Sequence, residues 1–135
     1  MRYEENRLPS DAALVRLYND AGWVAYTDDL PALRTALENS LYLLCVYEEE
    51  ELVGLLRAVG DGVSILYIQD ILVLADRRRQ GIGTALMTHT LKKYASVRQK
   101  VLSTDNTPEL RAFYNSLGFV PFEETGLVAF YFMNR

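Results

Sequence analysis

The chain of 135 residues has one cysteine and one histidine. With Cys45 alone, neither an intrachain disulfide nor a cysteine-based metal cluster can form. Its apolar neighbours Leu44 and Val46 read it as a small core residue. A basic surplus is also missing: 14 Lys and Arg stand against 18 Asp and Glu, a net charge of −4. That balance argues against general binding to nucleic acid or to an anionic membrane, both of which need excess cations. The longest clear apolar run, Leu41 to Tyr47, is far too short to span a bilayer. The first ten residues, MRYEENRLPS, have neither the apolar core of a signal peptide nor the basic amphipathic character of a transit peptide, so a cytoplasmic location is expected. No repeat, low-complexity tract or linker divides the chain, and one domain over 1–135 is expected, with no metal.

What is present is a globular balance. Half the residues are apolar and about a quarter charged, and a chain of this length can bury roughly two-thirds of its unfolded surface. Tyr3 to Asn6 reads as a short strand. Ser10 or Asp11 caps a helix with Leu14, Leu17 and Tyr18 on one face, stopped at Asn19 to Gly22. Asp28 or Asp29 caps a second helix, with Pro31 near its start and Leu30, Leu33 and Leu37 apolar. Leu41 to Tyr47, Leu52 to Val59 and Ser64 to Val73 read as strands joined by turns at residues 48–51 and at Gly60-Asp61-Gly62, the first two as antiparallel neighbours. A helix from about Gly81 to Tyr94, a brief strand Lys100 to Ser103, and a helix opened by Thr107-Pro108-Glu109 and ended by Gly118 follow. Two closing strands are expected, around Val120 to Glu123 and Leu127 to Met133. The order predicts an α/β fold with a mixed sheet.

The most informative stretch is Arg77 to Leu86, RRRQGIGTAL. A strand ending Ile71-Leu72-Val73-Leu74 empties into a glycine loop that opens a helix. Gly81 and Gly83 let backbone N–H groups approach an anion closely, and the first helical turn adds unsatisfied donors and the positive end of its dipole. The loop suits a pyrophosphate. It has no Lys-Ser/Thr pair, because Thr84-Ala85 follows Gly83, so it is no P-loop. Leu86 stands where the dinucleotide fingerprint has its third glycine.

The R/Q-x-x-G-x-G/A pattern after an apolar strand, with FYNSLGF at Phe113 to Phe119, resembles the GNAT family of N-acetyltransferases. The resemblance covers nearly the whole chain in element order and is most specific over Ile71 to Leu86 and Asn106 to Phe119. It implies a mixed, mostly antiparallel central sheet with helices on both faces and a splayed strand pair that admits acetyl-coenzyme A. Matched by position, Arg78, Arg79, Gln80, Gly81, Ile82, Gly83 and Thr84 would take the pyrophosphate. The backbone of Ile71, Leu72 and Val73 would pair with pantetheine while their side chains pack in the core. Asn106 would touch coenzyme or substrate; a one-residue shift gives that place to Thr107, and helix capping is the plainer role for either.

The implied reaction is direct transfer of acetyl to a primary amine, a small molecule or a lysine-like side chain. A lysine-like amine is neutral in only about one molecule in two thousand at pH 7, a penalty of roughly 4 to 5 kcal/mol, so a positioned base or a water relay lowers the barrier. Tyr114 matches the family tyrosine placed beside the coenzyme sulfur, as the acid for the departing thiolate. Asp70 is the candidate base, directly or through water, and a structural role for it is an equal alternative. The position matching the glutamate of some members is Tyr67. His89 reads as a surface or packing residue. Tyr26, Asp28 and Asp29 could draw in a cationic amine, or serve as a cap and core contacts. Phe130, Tyr131 and Phe132 could form a seam in a homodimer, or alternate into the core of one subunit. The rival functional reading is a non-catalytic module that binds acyl-coenzyme A.

Overall fold

The computed structural model describes residues 1–134. The chain divides into two compact units, Met1–Ser103 and Thr104–Arg135. In the first, five strands form one sheet in sequence order: β1 (Arg2–Glu5), β2 (Tyr42–Glu48), β3 (Glu51–Gly60), β4 (Ile65–Val73) and β5 (Gln99–Leu102). The first three pairings are antiparallel and β4 with β5 is parallel. Parallel neighbours need a crossover, and helix α4 (Ile82–Lys93) supplies it.

Three helices lie between β1 and β2. In α1 (Asp11–Asp20) the Ser10 side chain accepts from the Ala13 N–H, and Leu14, Leu17 and Tyr18 are buried. In α3 (Leu30–Glu38) Asp29 accepts from the Ala32 N–H and Pro31 sits in the first turn. Between them lies a single turn, α2 (Val24–Thr27), which has no side-chain cap and which the sequence pattern does not announce.

Two glycines are fixed by close approach. A Cβ on Gly54 would meet Ile82 Cγ2 at 3.0 Å and Leu86 Cδ1 at 3.4 Å, so the bare backbone of β3 is what seats α4. At Gly60 (φ +139°) a Cβ would stand 2.3 Å from the Ile65 carbonyl oxygen, so the turn into β4 admits only glycine. Gly54 and Arg57 lie three apart on one regularly paired stretch and point to opposite faces. Tyr18 of α1 reaches Asp70, the partner of Arg57. Helices α1 and α4 therefore cover opposite faces, and the core lies on both, through Leu14, Leu17, Val53, Leu55 and Leu72 and through Leu56, Ile82 and Leu86.

The second unit contains α5 (Pro108–Ser116), capped by the Thr107 hydroxyl. Beyond it the structure corrects the expectation of two closing strands: Phe122–Glu124 is a 3₁₀ turn, and no strand follows among the described residues. The residues have strand propensity, but a strand exists only where a neighbouring edge takes its N–H and C=O groups. Among the described residues, no helix is long and apolar enough to cross a membrane.

Candidate active site

The register of the sheet opens a gap in it. From Gly54↔Val73 to Arg57↔Asp70 the pairing of β3 with β4 is regular, and it resumes at Ala58↔Ile68, so Gln69 is an extra residue on β4. Such a bulge bends its strand and raises the local twist. On the other side of β4, pairing with β5 runs from Ile65↔Gln99 to Ile68↔Leu102 and stops at the residue before the bulge. Among the described residues, no strand lies beside that edge of β4 from Gln69 to Val73. Ile71, Leu72 and Val73 lie along this open edge, with Leu72 buried and the other two half-buried. Their side chains pack while their backbone edge is free.

After Val73 the chain makes a short 3₁₀ turn, Ala75–Arg77, and reaches α4 through Arg78, Arg79, Gln80 and Gly81. Gly81 is the N-cap, in the left-handed conformation at φ +82°. Having no side chain, it leaves the first turn of α4 without a cap. The other helices of more than one turn, α1, α3 and α5, are capped by Ser10, Asp29 and Thr107. The N–H groups of Ile82, Gly83 and Thr84 thus meet no capping side chain, and the dipole adds positive potential there. A Cβ on Gly81 would meet nothing within 4 Å, so the backbone angle alone selects glycine. Arg79 is also left-handed, at φ +61°.

The three arginines separate by role. Arg77 is taken up by Glu48, Glu51 and Asp76 at 3.0 to 3.2 Å. Arg78 and Arg79 are exposed and pair with no carboxylate among the described residues. Gln80, Gly81 and Thr84 are exposed as well, while Ile82 is buried against the sheet.

Asp70, beside the bulge, is 1% exposed. Its Oδ2 accepts from Arg57 Nε at 2.8 Å and from the Tyr18 hydroxyl at 2.9 Å, and its Oδ1 accepts from the Tyr26 hydroxyl at 3.2 Å. Burial pulls the Arg57 guanidinium down, but the Asp70 hydrogen bond and charge reverse this and hold it above its ordinary value. Burial, with the Asp70 charge beside it, raises Tyr18 far above a free phenol. Tyr26 packs edge-on to Tyr18, centroids 5.2 Å apart, with Trp23 6.0 Å from Tyr26. Sequence reasoning missed Arg57 and Tyr18 here. A signal existed, because Arg57 and Asp70 are single charges within the apolar runs Leu52 to Val59 and Ser64 to Val73 that flank the Gly60–Gly62 turn.

The remaining candidates take varied places. Asp29 caps α3; Asp28 is exposed at the end of α2. The Tyr67 hydroxyl donates to Ser103 Oγ at 3.0 Å. His89 stacks on Tyr3, centroids 4.5 Å apart. In the second unit, Asn106 accepts from Arg111 Nε at 2.7 Å, while Thr107 serves as the cap. Tyr114 is buried between Phe113 and Phe119, at 5.0 and 6.1 Å. Burial raises its hydroxyl above the usual phenol range, opposed by the Thr104 side chain.

A family model of the acetyltransferase (GNAT) domain matches residues 18–130. A GNAT-family acetyltransferase of Streptococcus pneumoniae TIGR4 superposes with a TM-score of 0.87 at 30% identity, over 99% of this chain and 98% of that one. An aminoglycoside acetyltransferase from an uncultured soil metagenomic sample, solved with sisomicin, gives 0.69 at 25% identity over 99% and 96%. A curated relative, the uncharacterized N-acetyltransferase ycf52 of Gracilaria tenuistipitata var. liui, is 29% identical over 113 residues, 79% of this chain; the match spans 60% of that relative's length.

Proposed function

Because this chain belongs to the GNAT family of acetyltransferases, we propose that it transfers acetyl directly from acetyl-coenzyme A to a primary amine, as a single catalytic domain over 1–135. The observation that carries this reading is the pairing of an uncapped helix with an open strand edge in one stretch of chain. The N–H groups of Ile82, Gly83 and Thr84, with Gly81 turning the backbone and Arg78, Arg79 and Gln80 beside it, are the places for the diphosphate. The free edge at Ile71, Leu72 and Val73 suits the two amides of pantetheine, which hydrogen-bond as a peptide does. The coenzyme supplies a thioester open to attack by an amine, so no acyl-enzyme is needed.

The chain's own residues then have two tasks. One is to receive the amine and let its proton go. Asp70 is committed to three donors, so we assign it a positioning role through Tyr26. By accepting the Tyr26 proton it turns that oxygen's lone pairs outward, where an ammonium or a relay water can donate to them. Beside them, the exposed Asp28 and the face of Trp23 suit a cation carrying an apolar body; Asp29 contributes by fixing the start of α3. The second task is to protonate the departing thiolate, which we assign to Tyr114 by its match to the family tyrosine; as a phenol it carries its proton at neutral pH. Asn106, holding Arg111, orders the entry to α5. The aminoglycoside acetyltransferase among the structural relatives supports a small polyamine-like acceptor over a peptide.

Thermal shift tests the donor. A ligand at a hundred times its Kd stabilises the native state by about 2.7 kcal/mol, and acetyl-coenzyme A is expected to do so while ATP is not. Stabilisation by ATP alone overturns the reading. An amine library with thiol-release detection tests the transfer; coenzyme binding without release from any amine would assign the chain to non-catalytic acyl-coenzyme A binding.

A further inference from the structure

Just before the glycine loop the chain is fastened at Leu74, Ala75 and Arg77. The Leu74 N–H donates to the Val53 carbonyl oxygen at 3.0 Å, and the Ala75 N–H donates to Asp20 Oδ2, at the end of α1, at 2.8 Å. Arg77 then spreads its guanidinium over the turn that joins β2 to β3, Nε donating to Glu48 at 3.2 Å and Nη2 to Glu51 at 3.0 Å. Glu48 and Glu51 are cross-strand partners there, and like charges placed directly opposite repel. One planar fork across both relieves that repulsion, which a point charge does less well. Glu51 also holds Arg16 of α1. Helix α1, the β2–β3 turn and the chain entering the loop are thus tied together through Arg77 and Asp20.

The loop beyond is strained. Among the described residues, the N–H groups of Arg79, Gln80 and Gly81 make no backbone hydrogen bond, and both Arg79 and Gly81 are left-handed. A non-glycine residue in that region persists only where its surroundings over-determine it. On the far side Ile82, buried against the sheet, provides the anchor. We propose that Arg77 and Asp20 are positioning residues that provide it on the near side, holding the loop in the shape whose N–H groups receive the diphosphate while touching none of the coenzyme. Three carboxylates, Glu48, Glu51 and Asp76, already surround Arg77, so its charge is answered with or without a ligand. The run Arg77-Arg78-Arg79 then divides into one arginine for the protein and two for the anion. This inference rests on the acetyl-coenzyme A reading, and its test keeps the two apart.

Calorimetry with acetyl-coenzyme A reads a sign. Glu51→Gln removes a negative charge from the neighbourhood of a polyanionic ligand, so charge alone would tighten binding, whereas loss of the fastening weakens it. Glu51→Gln and Arg77→Met are each expected to raise the dissociation constant about three- to tenfold, the effect of one or two partly exposed ion pairs. The two together should do no more than Arg77→Met alone. Arg77→Lys, which keeps the charge but has no fork, should recover only part; Asp20→Ala should weaken binding and Asp20→Asn, which keeps an acceptor, should stay near the parent. Should Arg77→Met not fold, Glu51→Gln and Arg77→Lys carry the same test. In the coenzyme-free chain, the Ala75 amide is expected to exchange about three- to tenfold faster in Glu51→Gln, with the amides of the sheet unchanged. Tighter or unchanged coenzyme binding by Glu51→Gln, full recovery by Arg77→Lys, or an Ala75 amide that moves only with the whole sheet overturns this inference alone. A parent chain that binds no acetyl-coenzyme A overturns the coenzyme reading and this inference with it.

Discussion

Removing the charge from Asp70 tests the buried cluster most sharply. Asp70→Asn keeps the shape and one acceptor but leaves the Arg57 guanidinium, whose side chain is 9% exposed, with no carboxylate beside it. Breaking one partner out of a buried ion pair costs about 3–5 kcal/mol, because the surviving charge stays desolvated. A chain of 135 residues unfolds with an entropy of about 0.28 kcal/mol/K, at 2.1 cal/mol/K per residue, so Tm is expected to fall by about 10–18 °C. The scan is repeated on Arg57→Met and on the double variant. The double variant should lose less than the sum of the singles, with a coupling above about 2 kcal/mol. Kinetics on the double variant separate the two roles of Asp70: removal of a general base costs about 10²–10⁴-fold in kcat, whereas loss of a group that only orients Tyr26 is expected to cost nearer tenfold. A Tm within about 3 °C of the parent for Asp70→Asn, or an additive cycle, refutes the argument that this pair is buried and mutually dependent.

Gly81→Ala meets no atom but forces a Cβ into the left-handed region, at about 1–2 kcal/mol; the dissociation constant for acetyl-coenzyme A by calorimetry is expected to rise about 5- to 30-fold, with Gly81→Asn closer to the parent. Tyr114→Phe is expected to lower kcat by at least tenfold while leaving the coenzyme dissociation constant unchanged, and unchanged turnover removes Tyr114 from the mechanism. Burial holds the Cys45 thiol neutral, pushed up to about 12, and raises Tyr18 and Tyr42 as well. The folded state therefore keeps protons that the unfolded chain releases near pH 9–10, and stability should fall by about 1.4 kcal/mol per pH unit per group above that range in denaturant titrations. Below pH 8 these groups should contribute no slope, and Cys45 should react with a thiol reagent only after unfolding.

Legibility followed how local each signal was. Ser10, Asp29 and Thr107 announced their helices because a cap and the residues it serves lie within four positions. The apolar run of Ser64 to Val73, contiguous at Ile71, Leu72 and Val73, announced β4. The one-turn α2 carries neither a cap nor a period. The closing strands failed for a different reason: residues 127–133 have strand propensity, but a strand also needs an edge that takes its backbone groups, which propensity does not supply. The glycine loop was legible as a donor-rich turn, whereas the ties on Asp70 depend on Tyr18 and Tyr26 arriving from 52 and 44 residues away.

The bulge at Gln69 links the two halves of the site. Without the extra residue, β4 would keep one register along its whole length against β3, and nothing local would end its pairing with β5 at Ile68. With it, the strand bends where β5 stops, and the free edge runs from there into the loop before α4. The same bulge sets Asp70 directly opposite Arg57, so the charge pair pins β4 to β3 at the point where it leaves β5. A splayed edge with no such pin would be free to close back or fray. An ion pair that contributes little net stability can thus hold open the edge to which we assign the coenzyme, which gives a reason for placing two charges in a core that could have been apolar.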